Sequence, residues 1–248
     1  MKKKIIGNWK CNQILSDVVN FADTIKEVNF KNDFEIGIAI PNVWLFVAKT
    51  YFKDSINIYA QDVDYIPFGS YTARTSYQHL ENIGIKNVII GHSETRLFSN
   101  NSDYEINKKI EKALSQDFNV VLCIGETIDT YNKKQTDGFL LRQIANALKD
   151  IDKTLLKKIT IAYEPIWAIG TNKTPSNEEI EMIITIIKQF GQINYETNFD
   201  VLYGGSVNLD NINYLSTIPN LDGFLIGTAS LNAKQFINLI ERTKWNVS

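Results

Sequence analysis

A single-domain α/β fold, a closed (β/α)8 barrel of parallel strands, is what this sequence predicts, on three observations. Short apolar runs rich in β-branched residues alternate with helical patterns from one end of the chain to the other. Eight such runs are found, and three of the stretches between them, checked by helical period, carry one apolar stripe each. No composition shift or linker divides the 248 residues, a length that suits eight β-to-α units better than two open sheets. An open doubly wound sheet is the nearest alternative.

In chain order, the strands are expected at Lys4 to Trp9, Phe34 to Ile40, Ile56 to Ala60, Asn87 to Ile90, Asn119 to Ile124, Ile159 to Glu164, Asp200 to Tyr203 and Gly223 to Ile226. Helical period is clear in Val18, Phe21, Ile25 and Val28 after the first strand, in Ile106, Ile110, Ala113 and Leu114 after the fourth, and in Ile180, Ile183, Ile184 and Ile187 after the sixth. Two helix starts are written out: Ser102-Asp103-Tyr104-Glu105 and Ser176-Asn177-Glu178-Glu179 each place a serine cap three residues before a glutamate. Such a pair satisfies orphan backbone donors reciprocally.

Composition narrows the partners. With 26 basic and 28 acidic residues the charge is nearly balanced, which favours neither a nucleic acid nor a membrane surface and leaves a small substrate as the expectation. An apolar fraction of 44 % supports a sizeable core, and 13 glycines against 5 prolines supply turns without low-complexity segments. Lys2, Lys3 and Lys4 are followed by only Ile5 and Ile6 before Gly7 and Asn8, so no signal-peptide apolar region and no membrane-length run is read, and a cytoplasmic location is expected. Cys11 and Cys123 have neither metal-ligand spacing nor a histidine companion, so both are expected as reduced, packed thiols, with no metal bound.

In a barrel of this kind, residues just after the strands share one face, and chemistry gathers there. Asn8 and Lys10 follow the first strand, His92 and Glu94 the fourth, Glu126 the fifth, Glu164 the sixth, Gly204-Gly205-Ser206 the seventh and Gly227-Thr228 the eighth. Singly, each has a plain structural role: a surface lysine, a satisfied histidine, a turn. The stretch from Ile161 to Ser176 adds more. Glu164 closes an apolar run, Pro165 stops the strand, and Ile166 to Gly170 forms an apolar loop that would keep water from the carboxylate. A base followed by a lid is the reading.

Six ordered blocks resemble the triosephosphate isomerase family across essentially the whole chain: Asn8-Trp9-Lys10-Cys11-Asn12, Gly91-His92-Ser93-Glu94, Cys123-Ile124-Gly125-Glu126-Thr127, Ala162 to Thr171, Tyr203-Gly204-Gly205-Ser206-Val207 and Asp222 to Gly227. The resemblance implies a TIM barrel that interconverts dihydroxyacetone phosphate and glyceraldehyde 3-phosphate, in glycolysis and gluconeogenesis, with no cofactor. It implies Glu164 as the base and a neutral His92 as the electrophile, while Asn8 and Lys10 add a donor and a fixed positive charge. Ile169 and Leu225 match the apolar pair that dries the base, and residues 165 to 175 match a closing lid. Backbone donors at Gly170, Ser206, Gly227 and Thr228 suit a phosphate dianion. Glu94 and Glu126 match supporting carboxylates, read as holding Lys10 and nearby backbone in place. Other phosphate-binding barrels, and a binding or adhesion protein that kept the fold without catalysis, are the competing readings.

The chain also departs from the family's pattern. Gly69-Ser70-Tyr71-Thr72-Ala73-Arg74 stands where the family has Gly-x-Tyr/Phe-Thr-Gly-Glu, and Thr95 where it has an arginine. The resemblance implies a homodimer in which the tip Tyr71-Thr72 enters the neighbour, but Arg74 and Thr95 cannot make the usual cross-subunit ion pair. Thr228 replaces a glycine, and Lys188 replaces an arginine facing Asp222. In the lid, Asn172 replaces a glycine and Pro175 a small residue. The family's tyrosine latches the closed lid through the amide at the position of Pro175, and proline has no amide hydrogen. Tyr203 is therefore expected to lack its latch, leaving Ser206 to hold the amide of Asn172.

Overall fold

The computed structural model describes residues 2–30, 33–170 and 174–246. Eight strands close into a parallel barrel in the order β1 to β8, each paired with its neighbour in sequence and β8 returning to β1. They are β1 (Lys3–Asn8), β2 (Phe34–Ile40), β3 (Asn57–Ala60), β4 (Asn87–Ile90), β5 (Asn119–Ile124), β6 (Ile159–Tyr163), β7 (Asp200–Tyr203) and β8 (Gly223–Ile226). Every expected strand is present, and the differences are confined to the ends. Trp9 and Glu164 fall just outside β1 and β6, yet the amide of Glu164 still bonds to the Ile124 carbonyl at 2.7 Å and so continues the ladder.

The helices alternate with the strands: α1 (Leu15–Lys26), α2 (Leu45–Phe52), α3 (Tyr77–Asn82), α4 (Ser93–Phe98), α5 (Asp103–Ser115), α6 (Ile128–Asn132), α7 (Thr136–Ala147), α8 (Asn177–Tyr195), α9 (Ile212–Leu215) and α10 (Ala233–Arg242). Their expected stripes are buried, except that α1 stops at Lys26 and leaves Val28 beyond it, half-buried. Ser102 and Ser176 both cap their helices reciprocally with Glu105 and Glu179. His79 belongs to such a device too. On α3, its Nδ1 accepts the Ser76 amide at 3.1 Å and its ring packs against Phe68, so it is a cap, far from chemistry.

Strand alternation produces two cores. Side chains such as Ile5, Ile38, Ile90, Leu122 and Ile226 point outward and join the helices in one large cluster. Ile6, Ala39, Tyr59, Ile89, Val121, Cys123, Ala162, Leu202 and Leu225 point inward and fill the barrel. Tyr59 takes the most room there, and Gly37 on the next strand makes it possible: a Cβ at Gly37 would lie 2.5 Å from the tyrosine ring. The Tyr59 hydroxyl donates to Glu35 at 3.0 Å, at the end of the barrel where Lys4 meets Asp200 at 2.8 Å. That end is closed by polar pairs, and the other end is left for a site.

Candidate active site

At the carboxyl ends of the strands a cleft of about 400 Å³ opens, lined by Asn8, Lys10, His92, Glu164, Ile169 and Leu225 among others. Each polar group in it is placed by local backbone chemistry. Asn8 ends β1, and its Oδ1 accepts the amide of Lys10 at 3.0 Å. Lys10 sits at φ 53°, a left-handed conformation that a lysine does not take without support. Support comes from Gln61, whose Nε2 donates to the Lys10 carbonyl at 2.9 Å, and from Glu94, whose carboxylate lies 2.8 Å from Nζ. The amine is thereby aimed across the cleft.

His92 caps α4. Its Nδ1 accepts the backbone amide of Glu94 at 3.1 Å, and a nitrogen that accepts carries no proton, so the ring is neutral with its hydrogen on Nε2. That Nε2 lies 3.2 Å from Oε1 of Glu164. Arg96, one turn along α4, secures the turn from behind by donating to the Gly91 carbonyl at 2.8 Å, pairing with Asp103 at 2.9 Å and reaching the Cys123 carbonyl at 3.2 Å. Three elements are thus tied beneath the histidine.

Glu164 is 2 % exposed. Its Oε2 accepts the amide of Ser93 at 3.2 Å, which leaves the carboxylate hydrogen-bonded but without a cation at contact distance. Gly204 leaves it room, since a Cβ there would come within 2.9 Å of the Glu164 Cγ. Cys123 lies beside it, its thiol pushed well above the usual range by burial and then by the Glu164 charge, so it is an inert packing group.

Of the two further carboxylates, Glu94 lies against Lys10. Glu126 does not: its Oε1 accepts from Trp167 Nε1 at 2.8 Å and from the Tyr163 hydroxyl at 3.2 Å, while its backbone carbonyl takes the amide of Ile166. Burial raises its carboxyl above the ordinary value, the indole opposing. Glu126 holds the turn that follows Pro165, because the chain there folds back over the end of β5 as a 3-10 turn, Ile166–Ala168.

Gly170 (φ 68°), Ser206, Gly227 and Thr228 all line the same cleft. Thr228 begins a single 3-10 turn, Thr228–Ser230, after the end of β8, and the Ser230 amide bonds back to the Gly227 carbonyl at 2.9 Å. Pro175 is buried, and the Tyr203 hydroxyl, also buried, has no hydrogen-bond partner among the described residues. Asn172 lies outside the described residues. Gln61, Arg96 and Gln235, the last also lining the cleft, were not singled out from sequence. Gln61 could have been, since it follows the last residue of a barrel strand directly.

The family model described as triosephosphate isomerase matches residues 3–243 of the chain. A triosephosphate isomerase of Mycoplasma genitalium is 41 % identical, the match covering 95 % of this chain and 96 % of that protein. Those of Mycoplasmoides gallisepticum and Alkaliphilus metalliredigens are 38 % and 36 % identical, each match covering 97 % of this chain and, respectively, 98 % and 99 % of the relative.

Proposed function

The chain belongs to the triosephosphate isomerase family and is an enzyme of that type, and from that premise we propose how its residues interconvert dihydroxyacetone phosphate and glyceraldehyde 3-phosphate. Glu164 removes a proton from the carbon beside the carbonyl, His92 gives the carbonyl oxygen a hydrogen bond from Nε2, and the proton returns to the neighbouring carbon. Meanwhile the hydroxyl on the carbon that lost its proton gives up its own, and the former carbonyl oxygen gains one by way of His92 Nε2. One C–H and one O–H bond are thus broken and one of each is made as the carbonyl moves to that carbon. Lys10 and Asn8 supply positive charge and a donor where the enediolate oxygen becomes negative. One observation carries the reading: a nearly buried carboxylate stands 3.2 Å from the proton-bearing nitrogen of a neutral imidazole, inside a cleft that a lysine also faces.

Gly170, Ser206, Gly227 and Thr228 bind the phosphate in this reading, and residues 165 to 175 close over it. Closure brings Ile169 toward Leu225 and removes water, which protects the enediolate from losing its phosphate. No metal or organic cofactor takes part in these steps. A coupled assay with glyceraldehyde 3-phosphate tests the whole, and inactivity of the natural chain would refute it.

We further infer a homodimer. Support comes from the exposed apolar side chains Ile14, Val43, Phe46, Phe68, Tyr71, Leu97 and Phe98, which all follow β1 to β4 on one side of the mouth. Thr72 and Tyr71 form the tip that enters the neighbour, and Arg74 pairs with Asp64 of its own subunit at 3.0 Å. No described helix is long and apolar enough to cross a membrane, and cytoplasmic residence is part of the same proposal.

A further inference from the structure

The described part of the lid rests on a residue of α6. The ring of Tyr131 lies 4.5 Å from that of Trp167, the planes 37° apart. Its hydroxyl donates to Oε1 of Glu179 at 2.6 Å. Glu179 is the third residue of α8, and its Oε2 accepts the amide of Ser176 at 2.8 Å while the Ser176 hydroxyl accepts the amide of Glu179 at 3.2 Å. One side chain therefore touches the turn where the lid leaves the barrel and the cap where the lid rejoins it. Proton transfer requires neither contact.

We propose that Tyr131 is a positioning residue for the isomerisation: a strut that holds Trp167 in its unliganded place and anchors that place to the start of α8 through Glu179. The inference rests on the reading of residues 165 to 175 as a closing lid. Trp167 is two residues from Ile169 within one short turn, so a movement that carries Ile169 and Gly170 over the cleft carries the indole as well. Glu126 and Tyr131 stay behind, since the one follows β5 and the other belongs to α6. Closure then separates Trp167 from the tyrosine ring, and the ring contact weights the equilibrium toward the open lid. The Tyr131 hydroxyl keeps the ring from following: it is held as a donor by Glu179, whose carboxyl is kept below its ordinary value first by that bond and then by the Ser176 amide. Aromatic pairs of this kind are worth roughly two- to tenfold in an equilibrium constant.

The test uses full-length enzyme carrying fluorotryptophan, with the Trp167 fluorine resonance assigned by Trp167→Phe and phosphoglycolate as the probe. In the natural enzyme saturation should shift that resonance; if it does not, the lid reading fails and the strut with it. Tyr131→Ala should shift the Trp167 resonance without ligand and tighten phosphoglycolate binding by about two- to tenfold. Tyr131→Phe, which keeps the ring and folds with the least disturbance, should retain the unliganded resonance more closely and tighten binding by less. If the natural enzyme responds to ligand but both variants match it, the strut does not exist. Weaker binding in either variant would place the contact in the closed state and overturn the proposal.

Discussion

Glu164 is well suited to act as a base because its environment gives it donors without giving it a counter-charge: a backbone amide on one oxygen, a neutral imidazole near the other. Glu164→Gln is expected to lower turnover by about 10²–10⁴-fold with little change in phosphoglycolate binding, since the amide keeps the shape and loses the basicity. Turnover near that of the natural enzyme would remove Glu164 from the mechanism. His92→Gln should lower turnover strongly and His79→Gln should not, because His79 caps α3 instead of facing the cleft. Tyr203 supplies a different kind of prediction. Its hydroxyl is buried without a partner among the described residues, and an unsatisfied buried hydroxyl is destabilising. Tyr203→Phe should therefore raise stability by about 1 kcal/mol and leave inhibitor binding alone. Pro175→Ala restores an amide to the lid and should tighten inhibitor binding by up to roughly tenfold, but only while the Tyr203 hydroxyl is present. A Tyr203→Phe change that weakens binding equally with and without Pro175→Ala would show that the hydroxyl already has a lid partner.

An element-scale argument concerns the start of α8, where the lid ends. Glu179 takes hydrogen bonds from Tyr131 and from Ser176, and both hold its carboxyl below its ordinary value. A carboxylate depressed in the folded state contributes stability that is present above its unfolded pKa and is lost as pH falls through the folded value. The stability difference between the natural chain and Glu179→Ala should therefore be full near pH 7 and shrink as pH falls below about 4.3. Urea titrations at several pH values measure it, and a difference independent of pH would mean that packing alone is at work. Inside the barrel, Tyr59 fills the space that Gly37 leaves open. Tyr59→Ala should cost about 3–5 kcal/mol by opening a cavity between strands, with the loss read as a lower denaturation midpoint.

For the whole molecule the question is how two copies would meet. Arg74, unable to make the family's cross-subunit pair, turns to Asp64, whose side chain is 7 % exposed. An exposed ion pair is worth about 0–1 kcal/mol, but reversing the charge beside a nearly buried carboxylate costs more. Arg74→Glu alone should thus destabilise the chain, and the expected positive coupling with Thr95→Arg should be clearest when Asp64→Asn removes the repulsion. Sedimentation across a dilution series reads the result. A fully active monomer at all concentrations would refute the dimer, and an unchanged dissociation constant in the triple variant would refute the pairing argument.

The barrel was legible because its determinants are local and periodic: β-branched runs, apolar stripes, serine-to-glutamate caps at Ser102 and Ser176. So was the gathering of the proposed catalytic residues in one place, since each ends a strand or follows one within two residues and the closed topology brings all strand ends to one face. Asn8, Lys10, His92 and Glu164 line one cleft for that reason. What only the tertiary structure decided are the partners that long-range packing chooses. Glu126 reads in sequence, with Glu94, as holding Lys10 and nearby backbone, and its carboxylate accepts from Trp167 because the chain after Pro165 folds back over β5. Arg74 finds Asp64 ten residues away, and Gln61 supports the left-handed backbone of Lys10 from just beyond the end of β3. Tyr131 joins both ends of the lid by contacts that span more than thirty residues in the chain. A hydrogen bond or ring contact depends on distances near 3 to 5 Å, and for residues far apart in sequence those distances are set by the closure of the barrel, which no local pattern records.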